Sequence, residues 1–207
     1  MAIHKCPESL IERISKDNKA IQAFRDHSFR VMYLSSMLAK KVGVYDEDLR
    51  TAALLHDIGK MGIANEILLK PDRLSDIERT IVQSHSHIGN LIVRKELNNK
   101  RAALFIRDHH ENWDGSGYPR GLKGEKISIQ GRIIRVCDSY DTITYEKRSY
   151  QEEFMSPEDA VSELRRGAWK QYDGDLVESF ISILEELALP ALWYDEFDSK
   201  QITQIFL

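Results

Sequence analysis

Apolar residues recur along almost the whole chain at steps of three and four, with polar and charged side chains between them, and no stretch alternates in the manner of a strand. This pattern predicts an all-α fold. A first short helix is expected over Glu8 to Ser15, followed by a long one in which Ile21, Phe24, Val31, Leu34, Leu38 and Val42 share a face and Gly43 caps the end. A third starts near Asp46 and runs through Leu49, Ala52, Ala53 and Leu55. Met61 to Asp72 reads as a loop or short helix, because Lys70-Pro71 resists helical continuation. Ser75-Asp76-Ile77-Glu78 is a capping box that opens a fourth, with Ile77, Ile81, His85, Ile88 and Ile92 on one face. Ala102, Phe105 and Ile106 mark the inward face of a fifth, which stops at His109-His110. Glu111 to Lys126 is rich in turn residues, including Asp114-Gly115-Ser116-Gly117-Tyr118-Pro119, and predicts a long ordered loop. A sixth helix from about Ile129 places Ile134, Asp138 and Asp141 on one face. Ser156-Pro157-Glu158-Asp159 opens a seventh, Asp175 to Leu187 forms an eighth, and the segment beyond Pro190 is amphipathic and expected to dock on the bundle or on a second subunit.

Within this pattern some polar residues stand where apolar ones belong. His56-Asp57 follows directly on the apolar run from Ala52, and a buried carboxylate there costs several kcal/mol unless a hydrogen-bonding partner or a cation satisfies it. Taken alone, the pair fits a hydrogen-bonded core dipeptide. Yet His27, His56, Asp57, His85, His109, His110 and Asp138 fall on five successive helices or helix ends, each about one helix and one connection from the last. In an antiparallel bundle such spacing returns the side chains to one depth of the core. Five histidines and two carboxylates so arranged predict a metal site, whereas His4 and His87 lack the placement and read as surface residues. Seven ligands exceed the needs of one ion and suit two, with Asp57 best placed to bridge them. Nitrogen and oxygen donors without thiolate favour iron or manganese, leaving zinc, nickel and magnesium open. Paired ions acidify a bridging water and clamp phosphoester oxygens, so phosphate hydrolysis is the first chemistry indicated. Lys60, three residues past Asp57, could stabilise charge on a phosphate oxygen, although without the ligands it would read as a solvated lysine.

Composition changes this picture little. The 207 residues suffice for one sizeable core, and 42% hydrophobic with 30% charged residues is ordinary for a globular protein. We expect an N-terminal helical extension over residues 1–18, a main domain over 19–188 and a tail over 189–207. A net charge of -4 argues against general affinity for nucleic acid polymers or anionic membranes. Cys6 and Cys137 form no disulfide framework or paired metal motif, no apolar run is of membrane-spanning length, and the first residues carry no secretory signal; together these predict a cytoplasmic protein.

Two stretches resemble a known family. His56-Asp57-Ile58-Gly59-Lys60 looks like the HD motif, and His109-His110-Glu111-Asn112-Trp113-Asp114-Gly115-Ser116-Gly117-Tyr118-Pro119 resembles the signature of HD-GYP domains. The likeness runs from about His27 through His85 with Gly89, Arg132-Ile133, and Asp138 with Asp141 to Gly167 and Asp173. It implies an HD-type helical bundle with a long Gly-rich GYP loop that hydrolyses cyclic di-GMP to pGpG, GMP or both by a metal-activated hydroxide. By this resemblance His27, His56, Asp57 and Asp138 hold one ion, and Asp57, His85, His109 and His110 the other. Lys60 would contact the scissile phosphate, Tyr118 the substrate, and Asp141 would orient water or Lys60. Ala23 stands where members with a third metal carry glutamate, which implies two ions. Lys147-Arg148-Ser149-Tyr150 departs from the family's run, leaving the basic substrate contact open between Lys147 and Arg148. GGDEF-type cyclase domains, through the GYP loop, are the implied protein partners; a second copy of the chain is the further partner expected from the segment beyond Pro190. Other readings are a phosphohydrolase for cyclic GMP-AMP or other nucleotides, and a signalling domain that binds dinucleotide or partner without turnover.

Overall fold

A computed structural model describes the backbone of residues 6–15, 19–145 and 155–187, and the side chains of 6–12, 25–144 and 155–186. The helices in chain order are α1 (Pro7–Ser15), α2 (Lys19–Lys41), α3 (Glu47–Leu55), α4 (Asn65–Leu68), α5 (Asp76–Gln83), α6 (His85–Glu96), α7 (Lys100–Asp108), α8 (Ile129–Tyr145), α9 (Pro157–Gly167) and α10 (Gly174–Leu187). Tight 3-10 turns over Ile58–Gly62 and Gly124–Lys126 complete them. Among the described residues there is no β-strand, only an isolated bridge between Ala168 and Tyr172. The all-α expectation is met. The side chains of Ile21, Ala23 and Phe24, and all of Lys147, Arg148 and residues 189–207, lie outside the described residues.

Local chemistry sets the boundaries. Asp46 caps α3 by accepting from the Leu49 N–H at 2.7 Å, and Gly43 closes the connection from α2 with a φ of 75° that suits glycine. Ser75 and Glu78 form the reciprocal capping box of α5, while Ser156 caps α9 with proline at its first positions.

The bundle is centred on α2, which packs against α3 and α8, while α6 lies between α7 and the Ile58–Gly62 turn. Met32, Leu34, Leu38, Leu49, Leu54, Leu55, Ile106, Ile133, Ile134 and Phe180 are among the large side chains that are fully buried. Each is worth about 1.5–3 kcal/mol of burial. Leu10 and Ile11 bring α1 onto the same core.

One expected element differs. The single helix anticipated from Ser75 is broken at Ser84, whose N–H and hydroxyl both donate to the Ile81 carbonyl, at 3.1 and 2.6 Å. This i−3 closure ends α5. Ile77 and Ile81 consequently stand exposed, at 75% and 39% of their surface, instead of continuing the core face occupied by His85 and partly by Ile92.

Candidate active site

Three of the histidines sit just past a helix C-terminus. The last carbonyls of a helix have no partner within it, and each of these rings turns back to supply one. His56 Nδ1 donates to the Ala53 carbonyl at 2.8 Å, His85 Nδ1 to Val82 at 2.7 Å, and His109 Nδ1 to Ile106 at 2.5 Å. His27, inside α2, donates its Nδ1 to Asp141 Oδ2 at 2.7 Å. These bonds fix the tautomer and point each Nε2 at the centre, the arrangement used by metal-binding histidines.

Around that centre the distances are short. His27 Nε2 lies 3.1 Å from His56 Nε2, and His85 Nε2 lies 3.4 Å from His109 Nε2. Asp57 presents Oδ2 to His56 at 3.5 Å and to His27 at 3.8 Å, and Oδ1 to His85 at 3.4 Å. Asp138 Oδ1 is 3.3 Å from His27 and 3.7 Å from His56. Ligand atoms of Asp57, His85, His109 and His110 lie within 4.8 Å of one another, and so do those of His27, His56 and Asp57. All seven residues singled out from the sequence therefore meet, with Asp57 common to both groups.

Facing ring nitrogens with their other nitrogens already donating repel one another unless a proton or cation lies between them. The donor set thus fits divalent metal ions. Its electrostatics agree. Burial holds the pKa of His109 at about 3 and keeps His56, His85 and His110 below the usual histidine range, leaving them as neutral donors. Burial would raise Asp57, but Lys60 and the neighbouring histidines outweigh it and hold the carboxylate well below its ordinary value. His27 is the exception. Burial pulls it down, yet Asp138 and Asp141 lift it to about 10, so in the absence of metal the proton resides there.

Lys60 Nζ donates to Asp57 Oδ2 at 2.6 Å, beside the cluster. Asp141, fully buried, is placed on His27 and on Arg30, whose Nε and Nη2 reach it at 2.6 and 2.9 Å. It stands directly behind the ligand His27, with the ring on one oxygen and the guanidinium on both. The Tyr118 ring lies 4.8 Å from His110 and 6.4 Å from His85. Its loop is pinned from inside: the buried Glu111 carboxylate accepts from the Arg120 and Leu122 N–H groups at 2.7 and 2.8 Å, and Asp108 accepts from the Arg120 side chain at 2.7 Å. The loop is further tied to the α9–α10 connection by Trp113 and Asp114 N–H groups donating to Gln171 and Lys170 carbonyls.

A cleft of about 280 Å³ opens onto the cluster, lined by His27, Asp57, Lys60, His110 and Asp138 together with Arg135, Ser139, Thr142, Ile143, Gln171 and Tyr172. Sequence reasoning missed Arg30 and Arg135. Each stands three residues from a ligand on the same helix, Arg30 after His27 and Arg135 before Asp138, so helical spacing alone could have flagged them. Gln171 and Tyr172 carried no such signal, since only the fold brings that loop to the cleft.

Residues 9–176 match the family model described as HD domain. The chain belongs to the HD domain family. Among relatives of this HD domain is a cyclic di-GMP phosphodiesterase of Thermotoga maritima, 39% identical over 166 residues that make up 78% of this chain and 45% of that protein. A 3'3'-cGAMP-specific phosphodiesterase 3 of Vibrio cholerae is 42% identical over 124 residues, 58% of this chain and 27% of the other. The HD domain thus spans less than half the length of these relatives. Its fold matches that of Bd1817, an HDG"Y"P protein from Bdellovibrio bacteriovorus, with a TM-score of 0.63 at 19% identity, over 87% of this chain and 62% of that one. The HD-GYP resemblance carried by the two motifs is borne out. No helix among the described residues is long and apolar enough to cross a membrane.

Proposed function

We propose that this HD domain is a dinuclear-metal phosphodiesterase that hydrolyses cyclic di-GMP to pGpG, GMP or both. The observation that carries the reading is Asp57, buried between two ligand groups with one carboxylate oxygen turned to each. His27, His56 and Asp138 would complete one site with it, and His85, His109 and His110 the other. Two divalent ions there, iron or manganese first, acidify water and offset charge on phosphoryl oxygens. The residues of the chain do the rest. Asp141 holds the His27 ring in register, Lys60 brings an ammonium to a non-bridging phosphate oxygen, and Tyr118, tilted against His110, forms a wall for the substrate. The relatives' names support this substrate class.

A second reading, 3'3'-cGAMP as preferred substrate, is favoured by the Vibrio cholerae relative. Both are tested together by loading the protein with manganese or ferrous iron under reducing conditions and separating the products formed from each dinucleotide. We expect linear product from at least one, and none from Asp57→Ala. Lys60→Ala should retain its metal while kcat falls about 10²–10³-fold. Turnover of neither dinucleotide by the loaded wild type would overturn the proposal.

A further inference from the structure

Arg135 projects from α8 one turn before Asp138 and lines the same cleft as Asp57 and Lys60. Its guanidinium carbon lies 5.6 Å from the centre of the Tyr172 ring, and Nη2 donates to Asn112 Oδ1 at 3.2 Å. Arg30, Arg120 and Arg132 are neutralised by Asp141, Asp108 and Asp173 respectively. Arg135 has no such carboxylate among the described residues, and its buried Nε has no hydrogen-bond partner there. A half-buried cation without a counter-ion is costly to the fold. Here it is also held in place, by an aromatic face on one side and an amide on the other, so a ligand meets a preorganised fork at little entropic cost. A planar guanidinium of this kind suits the paired oxygens of a phosphate.

A cyclic dinucleotide carries two phosphodiesters. The one being cut must lie against the metal ligands, where Lys60 is already bonded to Asp57. Arg135 is set on the wall made by the loop of Asn112 and that of Tyr172. We infer that Arg135 binds the phosphodiester that is not being hydrolysed, with Asn112 and Tyr172 as its positioning residues. This inference rests on the cyclic-dinucleotide reading above.

The test compares cyclic di-GMP with bis(p-nitrophenyl) phosphate, a small phosphodiester that has no second phosphate. For Arg135→Gln the expected result is a KM for cyclic di-GMP raised about tenfold or more, with kcat within about twofold and the small substrate unaffected. Arg135→Lys, which keeps the charge but loses the fork, should fall between, and Asn112→Ala should raise KM about threefold. An equal loss on both substrates would assign Arg135 to the reacting phosphate or the metals and overturn the inference; an unchanged KM would overturn it too. If the wild type cuts only the small diester, the cyclic-dinucleotide function has failed, and Arg135 is then judged by equilibrium binding of cyclic di-GMP to the loaded protein. Binding about tenfold weaker in Arg135→Gln supports the inference. Equal binding, or none by the wild type, refutes it.

Discussion

Replacing Gly59 by alanine should damage both the fold and one half of the metal centre. Gly59 lies in the 3-10 turn after His56-Asp57, pressed against the start of α6, with no room for a side chain. A Cβ there would run into the His85 carbonyl oxygen and lie 2.6 Å from the Gly89 nitrogen. Both are backbone atoms of a helix, so no rotamer change relieves them. Ordinary contact at about 3.5 Å with that oxygen requires α6 to retreat by about 1.6 Å. Overpacking of this kind costs about 1–3 kcal/mol, which lowers the melting temperature of a chain this size by roughly 2–12 °C. The same shift carries His85 away from Asp57 Oδ1, now 3.4 Å from its Nε2. Metal–ligand distances tolerate only about 0.2 Å, so the group of Asp57, His85, His109 and His110 should lose its ion while that of His27 and His56 keeps one. Thermal melting and metal analysis of reconstituted Gly59→Ala check this, with about one equivalent of metal expected against the two proposed for the wild type. A variant that melts with the wild type and holds the same metal would refute the reasoning.

Asp141→Asn should lower metal affinity about 10–100-fold, as read by competition with a chelator, since the amide cannot accept from His27 and Arg30 as the carboxylate does. Glu111→Ala removes a buried carboxylate and leaves the N–H groups of Arg120 and Leu122 without their acceptor; a stability loss of about 1–3 kcal/mol in urea and faster amide exchange across the GYP loop are expected. In metal-free protein His27, raised to about 10 in the fold, contributes stability that is complete below its ordinary value of 6.5 and lost as pH climbs through about 10. His109, held at about 3, acts oppositely, because the unfolded chain takes up its proton first and stability falls between pH 6.5 and 3. Denaturation of chelator-treated protein should therefore show greatest stability between these limits, and a steady rise from pH 7 to 10 would contradict the placement of the proton on His27.

The helical periodicity made most of the bundle legible, because a helix that buries one face must repeat its apolar residues at 3.6. The seven clustered side chains were legible for the same reason, as polar residues standing on that face. What misled was Ile77 and Ile81: their spacing matches a core stripe, and only the turn at Ser84 separates them from the helix that carries His85. A single hydroxyl bonding backward decides that, and periodicity is blind to it. Asp141 shows a different limit. It shares a helical face with Asp138, but its contact with His27 depends on how α8 lies against α2, where Met32, Ile133 and Ile134 are buried in the common core, and helical spacing does not carry that.

The helix ends explain why such a polar centre is tolerated within an apolar core. Carbonyls in the last turns of α3, α5 and α7 lack their full helical partners, and a histidine ring supplies a donor to Ala53, Val82 and Ile106 there. The break at Ser84 that spoils the apolar stripe is thus also what gives His85 a helix end to cap. Three C-terminal dipoles directed inward add negative potential to that of Asp57 and Asp138, and so favour a cation. Without metal, a second proton on His27 is the best available substitute, carried by the Nε2 that lies 3.3 Å from Asp138 while the Nδ1–H stays bonded to Asp141. Metal uptake must expel that proton, so affinity should climb with pH until His27 is neutral near pH 10, and proton release on metal binding at pH 7–8 measures the exchange directly.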